Sequence, residues 1–442
     1  MYRNKLLVVG AGPVGLAMAD SLKQAGIAYD QVDASTGLGG NWRHGVYSTV
    51  HIISSKRSTA YADYPMPDGY PDFPSGKQML AYLESYARDR GLMEHMEFNL
   101  KVVEATPNLD DTWRVRFSTG EERVYKGVAI CNGHHWAKHG TDIPGSYTGQ
   151  VMHSKDYQKP ADIAGKRVLV VGCGNSGCDL ASEAARVGVS SDWSIRGGAW
   201  FLPKTAFGRP LTDLPIWRLP IWSQRLILKA LIRMFIGKYS DYGLPMPKHK
   251  IFERHPTFGT DPLNYIRQGR ITPRPQIKTT EGKTVHFADG SSGDYDLIVM
   301  ATGFDLVFPF LPEGLVEVHN NTAQIYGGAF PPGVKNLYIV GSEQPRNGFG
   351  TRVTPATRIY ARMIKMQDEL EHPLGSVLKF AREKIPPSPF LDPGSVLRQI
   401  WLGGKLLWML RFEGKRLAKR ETYRPAALEL SERMDYQSQA AE

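Results

Sequence analysis

LLVVGAGPVG at residues 6–15 and VLVVGCGNSG at residues 168–177 decide the fold. In each, an apolar run that reads as a buried parallel strand enters a G-x-G-x-x-G turn, and a helix rich in small residues follows. Gly10, Gly12 and Gly15 in the first loop, and Gly172, Gly174 and Gly177 in the second, let backbone approach a pyrophosphate. The helix N-terminus behind each loop supplies N–H donors and a partial positive charge. About 20 residues further on, where ribose specificity is set, the first unit offers Asp33 and the second Arg196. A carboxylate accepts from ribose hydroxyls and repels a 2′-phosphate, whereas a guanidinium attracts that phosphate. The first loop therefore suits FAD, and NAD less well, and the second suits NADPH.

The pattern predicts an α/β fold with two Rossmann-like dinucleotide-binding domains, the NADPH domain inserted into the FAD domain, plus a C-terminal helical extension. Residues 1–158 are expected to form the first part of the FAD-binding domain and 159–296 the NADPH-binding domain, with an amphipathic insertion around 199–262. Residues 297–375 are expected to return to the FAD-binding domain and 376–442 to form the extension. The short apolar run in MYRNKLLVVGAG reads as the first strand rather than a signal peptide. The segment GLGGNWRHG at residues 37–45 reads as a loop over the flavin, and a helix is expected from about Lys77 to Arg90. Three strands then precede a return to the main sheet at Val128–Cys131. Further strands are expected in DYDLIVMATGF at 294–304 and in NLYIVGSEQP at 336–345.

A chain of 442 residues with 42% hydrophobic content has room for two or three domains with substantial cores. Cys131, Cys173 and Cys178 form neither a paired framework nor a C-x-x-C, which points to a reducing compartment and away from a disulfide reductase. The net charge of +10 is concentrated in two stretches. Residues 216–250 carry seven Lys or Arg against Asp241 alone, and residues 395–420 carry seven against Glu413 alone. These cations interleave with Trp, Leu, Ile and Phe, which argues against nucleic acid and suits an amphipathic surface. In IWSQRLILKALIRMFIG at 221–237, Arg225, Lys229 and Arg233 form a basic stripe on an apolar helix. A capping or dimer-interface helix and a helix lying on a membrane surface both fit. A cytoplasmic protein, with peripheral membrane contact as one alternative, is the expectation. No metal site is expected.

The segment YTGQVMHSKDY places Tyr147, Gly149, His153 and Tyr157 on the spacing of the flavin-containing monooxygenase fingerprint F-x-G-x-x-x-H-x-x-x-(Y/F), with Tyr in place of the first Phe. Together with GGNW at 39–42, GNSGCD at 174–179 and ATGF at 301–304, the chain resembles this family of class B flavoprotein monooxygenases over about residues 1–370. Tyr157 leans away from the Baeyer-Villiger branch, whose related motif usually ends in Trp, and His153 reads as a structural histidine. The resemblance implies that NADPH reduces FAD, that a C4a-(hydro)peroxyflavin forms with O₂, and that a small-molecule substrate takes one oxygen atom. It also implies a homodimer. Carried over, Gly10, Ala11, Gly12, Pro13 and Val14 face the FAD pyrophosphate, Asp33 its ribose, and Gly40, Asn41 and Trp42 the flavin side. Ile52, Ile53 and Ser54 join that side. Gly174, Asn175, Ser176, Gly177, Cys178, Asp179 and Arg196 face NADPH, backed by Ala301, Thr302 and Gly303.

One position departs from the family. In VHIISSK at 50–56, similar to a family segment ending N-S-S-K, Ile53 stands where the family has Asn. That amide is thought to hydrogen-bond near the flavin reaction centre, and an uncompensated loss of such a bond is worth about 1.5 to 3 kcal/mol. Ile53, Ser54 and Lys56 are therefore the catalytic candidates, with Ser54, Ser55 or Lys56 expected to compensate. The leading reading is oxygen transfer to a soft nucleophilic N or S. Baeyer-Villiger or oxidatively decarboxylating chemistry on a carbonyl or 2-oxo acid, and an uncoupled NADPH oxidase, stand beside it.

Overall fold

The computed structural model describes residues 2–441 apart from 141, 347, 387, 389 and 392, and gives the backbone alone for 345, 391–403, 405–406 and 434–441. Two five-stranded parallel sheets carry the two loops. The first has the order Leu337–Ile339, Gly127–Ile130, Leu6–Val9, Tyr29–Val32, Met96–Glu97. The second has the order Gln150–His153, Leu297–Met300, Arg167–Val171, Ser190–Ser194, Ile271–Arg274. In both, the strand that feeds the glycine turn is central and buried on both faces, which is why LLVV and VLVV read as continuous apolar runs rather than alternating ones.

The helices follow their local signals. Pro13–Gln24 begins with Pro at its first turn, where a missing N–H costs nothing. Gly76–Asp89, where a helix was expected from Lys77, is opened by Ser75 and Gln78 in a reciprocal capping box. A three-stranded antiparallel sheet, Val102–Pro107, Trp113–Phe117 and Glu122–Tyr125, flanks the first unit. Helices Leu374–Phe380, Pro393–Ala418 and Ala426–Ala441 follow near the C-terminus.

Two strands sit elsewhere than the sequence suggested. Leu297–Met300, placed with the returning FAD unit, pairs with Arg167–Val171 in the second sheet, and Gln150–His153 pairs with Leu297–Met300 at the edge of that sheet. Both are short apolar strands, and nothing local in such a strand states which of two parallel sheets will accept it. The chain instead passes between the units at Ala137–Lys138, which pairs antiparallel with the returning Phe304–Asp305. All elements of the second sheet lie between Gly127–Ile130 and Leu337–Ile339 of the first.

Candidate functional site

The two loops are built by the same device. Gly10 and Gly172 have φ of +108° and +112°, and a side chain on either would collide with the backbone carbonyl of Cys131 or Ala301 on the neighbouring strand. Only glycine fits there. The carbonyl of each is then held from the next strand: Gln31 Nε2 donates to Gly10 O at 2.9 Å, and Trp193 Nε1 donates to Gly172 O at 2.7 Å. Both following helices lack a side-chain N-cap and have no acidic residue in the first turn, so their first N–H groups are open to an anion.

At the first loop, Asp33 Oδ2 accepts from Ala11 N–H at 2.7 Å and Oδ1 from Ser35 N–H at 2.8 Å, which fixes the carboxylate beside the glycine turn. Gly40 folds back over the loop, its Cα 3.6 Å from where a Cβ on Gly12 would stand. At the second loop, space around Gly174 is open to at least 4 Å. Arg196 is exposed and makes no hydrogen bond to the described residues. Asn175 Oδ1 accepts from Phe258 N–H at 3.0 Å, and the Cys173 carbonyl from Thr257 Oγ1 at 2.8 Å, so the 257–258 strand braces this turn. Cys178 is a buried thiol whose pKa burial raises, a core filler behind Ser176 and Gly177. Asp179 is committed to Tyr47, whose hydroxyl donates to Oδ2 at 2.5 Å, and burial raises the Asp179 pKa. Ala301 lies against Gly172, while Thr302 Oγ1 donates to the carbonyls of His139 and Gly140.

Between the units, Asn41 bridges two partners. Its Nδ2 donates to His135 O at 2.9 Å and its Oδ1 accepts from Lys155 Nζ at 2.6 Å. Lys155 loses hydration here and its pKa falls. His135 opens onto the junction yet is enclosed by surrounding protein. That desolvation, then the neighbouring His134, His255 and Lys155, takes its pKa down to about 3, so the imidazole is neutral at physiological pH. The fingerprint residues act as a joint. Gly149 leaves room for the Tyr147 ring, whose hydroxyl donates to Tyr295 O at 3.0 Å, and Tyr157 packs on Tyr47. His153 Nδ1 accepts from Lys155 N–H at 3.1 Å, which leaves Nε2 to donate to Gly303 O at 3.1 Å. A histidine bonded at both nitrogens is a structural one.

The 50–56 segment crosses from one core to the other. Ile52 is buried in the core of the first unit, while Ile53 packs half-buried against that of the second. Ile53 thus contributes apolar packing at the junction. Ser54 Oγ shares a hydrogen bond of 2.7 Å with Thr59 Oγ1. The Lys56 ammonium donates to the carbonyls of Asp68 at 2.7 Å and Tyr70 at 2.6 Å, tethering that loop. The residue of this segment with long-range partners is Ser55, fully buried, whose hydroxyl donates to Asp213 Oδ1 and whose N–H donates to Thr212 Oγ1 at 3.0 Å. Ser55, Lys155 and His135 lay in plain view in the sequence, but their partners are far along the chain.

A cavity of about 960 Å³ lies beside helix Gly350–Gln367, lined by Val14, Gly341, Glu343, Phe349, Tyr360 and Leu410 among others. Burial, reinforced by the nearby Glu383 carboxylate, raises the Glu343 pKa to about 8. Among the described residues no cluster of His, Cys, Asp and Glu has the makings of a metal site.

A family model described as flavin-binding monooxygenase-like matches residues 3–374. Flavin-containing monooxygenase 5 of Oryctolagus cuniculus is 31% identical over 393 residues, 82% of this chain and 73% of that protein. Among solved structures, S-allyl-L-cysteine S-oxygenase from Allium sativum superposes with a TM-score of 0.61 at 19% identity, covering 93% of this chain and 84% of that one. Cyclohexanone monooxygenase bound to ε-caprolactone does so with a TM-score of 0.67 at 16% identity, covering 92% and 98%. At these identities the superpositions establish a shared fold.

Proposed function

The chain belongs to the flavin-binding monooxygenase-like family and is an FAD- and NADPH-dependent oxidoreductase, and from that premise we propose that it transfers one atom of O₂ to a soft nucleophilic nitrogen or sulfur of a small organic substrate. The observation that carries the reading is the pair of unlike cradles, one with a fixed carboxylate and one with a free guanidinium, joined by the segment 50–56. When bound, FAD supplies hydride acceptance from NADPH and activation of O₂.

The chain's own residues hold and dry the junction. The first helix N-terminus and Asp33 hold the FAD pyrophosphate and ribose, and Gly174 to Ser176 with Arg196 hold the 2′-phosphate nucleotide. Ile52, Ile53 and Trp42 exclude water on the flavin side. Asn41, pinned by Lys155 and His135, sets the spacing between the two units. His135, neutral at pH 7, brings no positive charge to the junction. The FAD unit takes the chain up to the paired strands at 137–138 and from 304–305 to about 375, the NADPH unit the residues between, and 376–442 the helical extension. The setting is cytoplasmic, with the basic, aromatic segments as a contact for a membrane surface or a second copy.

The missing amide at Ile53 supports a second reading, a carbonyl acceptor. Turnover under ¹⁸O₂ with a tertiary amine, a thioether and a ketone separates the two. One labelled oxygen in an N- or S-oxide per NADPH consumed is expected. A labelled ester from the ketone would move the reaction to the second reading. Peroxide matching NADPH consumption with every substrate would contradict oxygen transfer altogether.

A further inference from the structure

Helix Ile221–Phe235 buries Gln224, Leu228, Leu231 and Ile232 against the second unit. The opposite face of a surface helix is ordinarily polar. Here it shows Trp222 at 65% exposure, Leu226 at 61% and Met234 at 69%, with Phe207 beside it in ring contact with Phe235. The basic stripe read from the sequence is also redrawn: Arg225 turns inward to donate to Ile251 O at 2.9 Å, and Lys229 and Arg233 remain among the exposed apolar side chains.

A second patch of the same kind lies on helix Pro393–Ala418, where Trp408 and Phe412 are exposed beside Lys415, while Arg411 is paired with Glu369 at 2.5 Å. Trp401 lies outside the described side chains. This long helix packs on the turn Pro215–Arg218 that leads into helix Ile221–Phe235, so elements far apart in the chain adjoin. Nine of the sixteen exposed large apolar side chains among the described residues lie within residues 216–250 and 395–420, which concentrates them in these two basic stretches.

We propose that these two patches dock on a bilayer rich in anionic phospholipid, with Trp222, Leu226 and Trp408 entering the headgroup boundary and Lys229, Arg233 and Lys415 meeting the phosphates. Charge selects this occupant over a second copy of the chain. A twofold contact is isologous, so it would bring Lys229 and Arg233 of both copies to one interface, with Asp241 the sole acidic residue of 216–250 to offset them. Anionic headgroups supply the missing countercharge, and the long Lys and Arg stems lie along apolar surface while their charges reach the phosphates. No helix among the described residues is long and apolar enough to cross a membrane, so the contact is peripheral. This choice rests on the peripheral-contact reading above and is independent of the oxygen acceptor.

The test is co-sedimentation of the full-length FAD-loaded protein with vesicles of phosphatidylcholine, with and without phosphatidylglycerol, without turnover. Binding to the anionic vesicles alone, weakened by salt, is expected. K229E/R233E should lose about thirtyfold or more in partitioning, and W222S/L226S should lose binding even at low salt. Both variants alter exposed side chains, so flavin content and NADPH-driven bleaching should match the parent and certify the fold. Equal binding by W222S/L226S, no binding to either vesicle, or a dimer that W222S/L226S dissociates would each overturn the proposal.

Discussion

The two glycine loops share a backbone plan down to the side chain that grips the first glycine, Gln31 in one and Trp193 in the other, yet they treat their surroundings differently. The first is closed: Gly40 lies over Gly12, and both oxygens of Asp33 are already bonded to backbone. The second is open at Gly174, with Arg196 free in solvent. A preorganised, covered cradle loses little freedom when filled and holds its ligand through many turnovers. An open cradle with an exposed guanidinium gains charge-assisted contacts only on binding, which suits a nucleotide that arrives and leaves. The difference in architecture fits the division of task we propose, a resident flavin at the first loop and a consumed reductant at the second.

The largest expected effect comes from Gly10→Ala. At φ +108°, with its new Cβ 2.5 Å from the Cys131 carbonyl, the loop cannot keep its shape, and flavin content should fall to background in the absorbance ratio of the purified protein. Gly174→Ala is the counterpart. Its methyl meets no protein atom within 4 Å, so fold and FAD should survive while KM for NADPH rises by about tenfold. Equal loss of FAD in both variants would erase the contrast.

Arg196→Gln should raise KM for NADPH by about ten- to a hundredfold, with little change for NADH and none in FAD content, since a charge-assisted bond is worth about 1.5 to 3 kcal/mol. Asp33→Asn should weaken FAD retention by roughly tenfold and leave the NADPH KM alone, because the amide replaces a carboxylate that holds Ala11 N–H. Flavin loss during dialysis measures it.

The smallest effect concerns Glu343. Its folded pKa of about 8 lies above the ordinary value of 4.5, so the folded chain holds a proton that the unfolded chain releases. Stability should fall as pH rises from about 4.5 to 8 and then level off. Glu343→Gln should flatten the Tm profile between pH 6.5 and 8, above the range in which the lowered histidines titrate. An unchanged slope would show that Glu343 carries none of it.

Both glycine turns and the central strands were legible in the sequence because each rests on neighbours close along the chain. What was not legible depends on distant partners. Leu297–Met300 carries no local sign that Arg167–Val171 will be its neighbour. Nothing beside Lys56 in the motif states that the carbonyls of Asp68 and Tyr70 will take its ammonium. Ser55 is distinguished only by Thr212 and Asp213, and Asn41 by Lys155, each more than a hundred residues away.

The most direct test of the two-cradle account is anaerobic mixing of the FAD-loaded parent and Arg196→Gln proteins with increasing NADPH, following loss of the visible flavin absorbance. The account predicts that both start with equal FAD, that the parent bleaches at low NADPH, and that Arg196→Gln reaches a similar limiting rate only at about tenfold or more higher NADPH. An unchanged NADPH dependence, or loss of FAD from Arg196→Gln, would contradict it.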